Sequence, residues 1–95
     1  MANVEVQWGA RLKQARLEAG LSQKQLGILA GIDEFVASAR INRYELGVHK
    51  PDFLTAQNIA RVLKVPVAFL YAVEDEVATL IRQHGNATSA QETRK

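Results

Sequence analysis

Apolar residues in this chain recur every three or four positions along most of its length, which points to helices throughout and to no half-buried strand. In QWGARLKQARLEAG, residues 7–20, Trp8, Leu12, Ala15 and Ala19 fall on one side, and Gly20 is a natural C-terminal stop. Arg16 lies on the same stripe, an unusual place for a charge. Ser22 and Gln25 have capping-box spacing and open a second, short helix. Its inner face is Leu26, Leu29 and Ala30, and Gly31 follows at once. Asp33 can cap a third helix that runs to about Leu46 and stops at Gly47.

Pro51 and Asp52 start a fourth helix, in which Ala56, Ile59, Ala60 and Leu63 follow the i, i+3, i+4, i+7 pattern. Pro66 opens a fifth, VAFLYA. Glu74, Asp75 and Glu76 place negative charge where a helix N-terminus favours it. Behind them Val77, Leu80, Ile81 and His84 form a further apolar stripe, with Gly85 as its expected end. The small polar residues 86–95 are expected to be disordered.

Composition narrows the function classes. Ninety-five residues bury one core without staples, and 47% hydrophobic content with 6% aromatic suits a compact globular chain. The absence of cysteine excludes a disulfide scaffold and thiolate metal sites and suits a reducing cytoplasm. The opening MANVEVQWGARLK has no apolar stretch for a signal peptide, and VPVAFLYAV is too short and Pro-interrupted to span a bilayer. A cytoplasmic protein with no membrane partner is expected. Two histidines and scattered acids suggest no metal site and no cofactor, and no Ser/His/Asp set, paired acids or phosphate loop suggests an enzyme. Net charge is only +2, so charge alone does not announce a nucleic-acid binder.

Two short helices around a Gly-containing turn fit either a helix-turn-helix or a plain helical bundle. The particular residues separate the two. The run GLSQKQLGILAG, followed by INRYELG and KPDF, resembles the lambda-repressor/Cro-like helix-turn-helix family, also called the XRE family. The matching elements are Gly20-Leu21-Ser22-Gln23, Leu29-Ala30 before Gly31, Ile41 to Gly47, Pro51, and the later NIARVLKVPVAFLY, together spanning roughly residues 9–73. The resemblance implies an all-α fold: a compact five-helix lambda-repressor-like domain over residues 1–73, with a short C-terminal extra helix over 74–85.

One departure lies between Gly31 and Glu45, which are four residues further apart than the family's usual spacing. Four residues amount to about 400° of helix and about 6 Å of rise, close to one turn. Such an insertion roughly preserves which face each residue occupies. Anchored at its C-terminal match, the third helix carries the surplus at its N-terminal end, in either the helix or the turn.

With Ala37, Ile41 and Tyr44 facing the core, a step of about 100° per residue puts Phe35, Ala39, Asn42 and Arg43 opposite, with Ser38 at the edge. Carried over from Ile41 backwards, the resemblance implies base-facing positions at Ser38, Ala39, Asn42 and Arg43. Arg43 suits a two-bond grip on guanine, Asn42 one on adenine, and Ala39 a thymine methyl. Ser38 and Ala39 fit simple surface filler equally well. The resemblance implies that Gln23 clamps a phosphate; Lys24 beside it and His49 and Lys50 in the loop after the third helix are candidate supports, and each basic residue fits a solvated charge about as well. Arg40 suits a phosphate, or an internal pair with Glu34 or another acid. Phe35, in the inserted turn, either stacks against the protein or protrudes as an apolar contact to DNA, and packing is the preferred expectation. The resemblance also implies an ion pair between Arg16 and Glu45, which would account for the charge on the apolar stripe.

One short helix reads only a few base pairs, so the family usually binds double-stranded DNA as a two-fold dimer. Val73, Val77, Leu80 and Ile81, with His84 at the edge, form a candidate homodimer seam; the alternative is that this helix packs on its own domain. The function so implied is a dimeric transcriptional repressor that reads a palindromic operator. A second reading is an antitoxin-like module that binds a protein partner as well as its own operator.

Overall fold

The structure, a computed structural model, describes residues 4–72 and 74–92, with side chains described for 7–72 and 74–84. Among the described residues there are six helices and no strand: α1 (Val4–Glu18), α2 (Gln23–Leu29), α3 (Ala37–Glu45), α4 (Phe53–Leu63), α5 (Val67–Tyr71) and α6 (Asp75–Glu92). Leu12, Leu26, Ile41, Ile59 and Leu70 are fully buried, one from each of α1 to α5, and meet in a single core. Each such side chain contributes about 1.5–3 kcal/mol relative to leaving it in water. From α6, Ala78 is buried and Ile81 packs in part against the same core. The architecture is the expected all-helical one, five helices around a core with a sixth laid on it.

Local chemistry sets the boundaries. Ser22 Oγ accepts the Gln25 N–H at 3.0 Å, and Gln25 Oε1 accepts the Ser22 N–H at 2.8 Å, so the capping box is complete in both directions. Asp52 caps α4 by accepting the Thr55 N–H at 2.8 Å. Two bonds close the far end of α2: Gly31 N–H to the Ile28 carbonyl at 3.0 Å and Ile32 N–H to the Gly27 carbonyl at 2.9 Å. This reversal requires the left-handed backbone that Gly31 adopts, at φ 91°, and it drives Ile32 back into the core.

Four details differ from the sequence reading. Leu29 is 56% exposed, because α2 turns Leu26, Gly27 and Ala30 inward to meet α3. Ala19 lies beyond the end of α1 and is exposed. Asp33 does not cap α3. Its Oδ1 accepts the Phe35 N–H at 2.8 Å and its carbonyl accepts the Val36 N–H at 3.1 Å, which closes a separate turn, and α3 begins only at Ala37. The surplus residues therefore lengthen the turn, and α3 keeps nine residues. Finally, α6 passes through Gly85 to Glu92. An internal glycine costs a helix only about 1 kcal/mol, and helix formers such as Ala87, Ala90 and Gln91 follow it. Of the expected disordered tail, residues 86–92 are thus helical, and 93–95 lie outside the described residues.

Candidate nucleic-acid interface

Two glycines let α3 sit directly on backbone. A Cβ at Gly9 would stand 2.4 Å from the Glu45 carbonyl oxygen and 2.6 Å from that of Tyr44, so α1 touches the C-terminal turn of α3 with nothing between. A Cβ at Gly27 would stand 2.6 Å from the Ala37 Cβ, so α2 touches the first turn in the same way. Trp8 adds edge-to-face contacts with Tyr44 and Tyr71, with ring centroids 6.4 and 6.0 Å apart.

The charge on the apolar stripe of α1 has its counterpart on α3. Arg16 Nε donates to Glu45 Oε2 at 2.6 Å and Nη2 donates to Oε1 at 3.2 Å, a two-pronged pair nearly closed to solvent. Arg16 Nη1 donates further to the Leu21 carbonyl at 2.9 Å, which ties the start of α2 into the same joint. Glu45 Oε1 also accepts from Gln23 Nε2 at 3.1 Å, and that nitrogen donates to Asn42 Oδ1 at 3.1 Å.

With Ala37, Ile41 and Tyr44 buried, α3 turns Ser38, Ala39, Asn42 and Arg43 outward on one continuous face. Beside its C-terminal end an open cleft of about 560 Å3 is lined by Arg40, Arg43, Tyr44, Val48, His49 and Lys50, four of them basic. Arg40 does not pair with Glu34. Its guanidinium sits against the Tyr44 hydroxyl and near Asp52, another acid. Burial pushes the Tyr44 hydroxyl above its ordinary pKa, and the Arg40 charge opposes that shift. Lys24 is exposed on the first turn of α2. Phe35 departs most from expectation: at 89% exposed it packs against nothing, because the Asp33 turn lifts it clear of the domain.

On the far side, α6 is fixed to α1 by a device that the sequence reading missed. Arg11 is buried, donates from Nε to the Ala72 carbonyl at 3.0 Å, and pairs with Asp75 at 2.8 Å. Arg82 pairs with Glu18 at 2.7 Å, and both guanidinium groups lie near the Phe69 ring, 5.9 and 5.4 Å from its centroid. The one available signal was that Arg11 sits three residues after Trp8, on the edge of its stripe. Of the expected seam, Val77 and Leu80 are exposed, Ile81 is half-buried against its own domain, and Val73 lies outside the described residues. No described helix is long and apolar enough to cross a membrane.

Known proteins share this arrangement. The helix-turn-helix family model matches residues 12–70. The crystal structure of the transcriptional regulator BswR is 50% identical, covers 90% of this chain and 88% of its own, and superposes with a TM-score of 0.78. Two uncharacterized HTH-type transcriptional regulators, from Sinorhizobium medicae (strain WSM419) and Rhizobium meliloti (strain 1021), are each 32% identical over 68 residues, or 72% of this chain. The matched part is 46% of their length, so the chain spans about half of these relatives. With a family match over most of its core and a half-identical structural neighbour, the chain belongs to the XRE-type helix-turn-helix family of DNA-binding transcriptional regulators.

Proposed function

We propose that this chain is a sequence-specific repressor that binds a palindromic operator as a homodimer, with α3 in the major groove. The observation that carries the reading is the outward face of α3, Ser38, Ala39, Asn42 and Arg43, on a helix locked to its scaffold through Glu45. Arg43 is the main base reader through guanine O6 and N7, and Asn42 reads the neighbouring base. Ser38 and Ala39 are small enough to let the helix approach the base edges closely. Arg40, His49 and Lys50 around the basic cleft, with Lys24 on α2, supply the salt-sensitive affinity for phosphates. Exposed Val77 and Leu80, with Val73 and the open edge of Ile81, meet the same residues of a second copy. An isologous contact of this kind turns one short reading helix into two, about one helical turn of DNA apart.

Enrichment of binding sites from a random duplex pool tests the reading. The expected result is a palindrome with half-sites about one helical turn apart. Weak binding that is blind to sequence and abolished by salt would sink it.

A further inference from the structure

The polar chain that begins at the Arg16–Glu45 pair runs on to the surface of α3, and each link dictates the orientation of the next. Glu45 Oε1 and Asn42 Oδ1 both accept from Gln23 Nε2, each at 3.1 Å. A carboxylate only accepts, so the Gln23 amide has to turn its nitrogen, not its oxygen, toward Glu45. That nitrogen carries two protons. One goes to Glu45, and the other points at the Asn42 amide 3.1 Å away, which can accept it only through Oδ1, so Oδ1 turns inward. Its Nδ2, a pure donor with no partner among the described residues, is the group left to face outward from α3.

The geometry points to Gln23, held by Glu45, as a positioning residue that fixes the exposed Asn42 as a hydrogen-bond donor and thereby makes it select guanine. This rests on the reading of α3 as the base-contacting helix. Guanine presents two acceptors in the major groove, N7 and O6, and an NH2 group serves both. Adenine presents N7 beside the N6 donor, and its two-bond pairing with asparagine needs the oxygen that Gln23 already engages. Cytosine presents a donor, which Nδ2 cannot meet, and thymine presents one acceptor, O4, against the two of guanine. The adenine preference expected of an unconstrained asparagine is thereby replaced by a guanine preference. The role of Gln23 changes with it. Both Nε2 protons are committed inside the protein, and Oε1, the atom that remains, is an acceptor that a phosphate oxygen repels. Gln23 therefore acts through Asn42 and not as a phosphate clamp.

The test is binding-site enrichment from a random duplex pool with the wild-type chain, Gln23→Met, Asn42→Ala and the double variant. Asn42 is exposed and Gln23 half-exposed, and circular dichroism confirms that each variant is folded. Asn42→Ala is expected to bring guanine at one base of each half-site from about tenfold over adenine to near parity. Gln23→Met is expected to erode the preference at that same base, and the double variant to erode it no further than Asn42→Ala alone. If Gln23→Met weakens all sequences equally and leaves that preference intact, Gln23 is a phosphate contact and the inference is overturned. Adenine at the base that Asn42→Ala identifies overturns it as well. A wild-type chain that enriches no sequence is a different failure: it removes base reading by α3 itself, and this inference with it.

Discussion

The two ends of α3 are held by different means. At the C-terminal end the backbone of α1 touches the Tyr44 and Glu45 carbonyls across Gly9, Arg16 grips Glu45 with two bonds, and Trp8 packs edge-on against Tyr44. At the N-terminal end Val36 caps the helix without any side-chain bond; Ile32 and Ala37 are buried in the core, Gly27 abuts Ala37, and the local Asp33 turn orders the chain between them. Polar and backbone contacts to α1 fix one end; at the other, apolar burial of Ile32 and Ala37 and the neighbouring α2 hold the helix, with no ion pair among the described residues. Extra residues can therefore accumulate at the N-terminal end without rotating the face that carries Ser38, Ala39, Asn42 and Arg43, because the angular position of that face is set by Glu45.

The sharpest way to break this asymmetry is Glu45→Ala. The substitution strands the Arg16 guanidinium in a nearly closed site and removes an acceptor from Gln23, so a loss of about 3–5 kcal/mol is expected. Thermal denaturation measures it, and an unchanged midpoint would mean that the pair does not hold α3. A smaller effect, about 1–3 kcal/mol, is expected from Gly9→Ala, which has to push α1 away from the two carbonyls that its Cβ would meet at 2.4 and 2.6 Å. A midpoint equal to wild type would show that α1 can slide aside at no cost, and the contact would lose its claim to set the position of α3.

The strongly held end is also the one that sequence reasoning read well. Ile41, Tyr44, Glu45 and Gly47 are spaced as the family spaces them, and Arg16 was conspicuous as a charge on an apolar stripe. The loosely held end was harder to read, and the reason is physical. Asp33 before an apolar run fits a helix cap and an Asx turn equally well, and what decides between them is where Ile32 and Ala37 have to be buried, a tertiary demand. The same limit hid the inner face of α2. Gly27 looks inert in a sequence, yet it draws α2 toward Ala37 and leaves Leu29 in solvent. The Gln23–Asn42 bond was illegible for a similar reason, since the two residues are 19 positions apart and neither is apolar.

The firm side of the domain also has a pH-dependent component. Hydrogen bonds from Thr55 hold the Asp52 carboxyl below its ordinary pKa of 3.8, and the nearby Arg40 charge on α3 pulls the same way. A carboxyl whose pKa is lower in the folded state stabilises the fold above its unfolded value, and that contribution fades as pH falls through the folded value. Asp52→Asn keeps a capping oxygen but cannot titrate. Its denaturation midpoint is therefore expected to lie slightly below wild type at pH 6 and to converge with it toward pH 3. A gap of constant size across that range would show that the charge of Asp52 plays no part.

The smallest expected effect is the most informative about the loose end. Phe35→Ala removes a large side chain, and in a packed site that would cost about 3–5 kcal/mol. Here the ring is 89% exposed on a turn whose closing bonds come from the Asp33 side chain and carbonyl, neither of which depends on what stands at position 35. The change in stability should therefore stay within about 0.5 kcal/mol. Denaturant titration reads this directly, and a loss above about 1 kcal/mol would mean that the ring folds back onto the domain. In that case the inserted turn would be a second anchor for α3, and the contrast between its two ends would disappear.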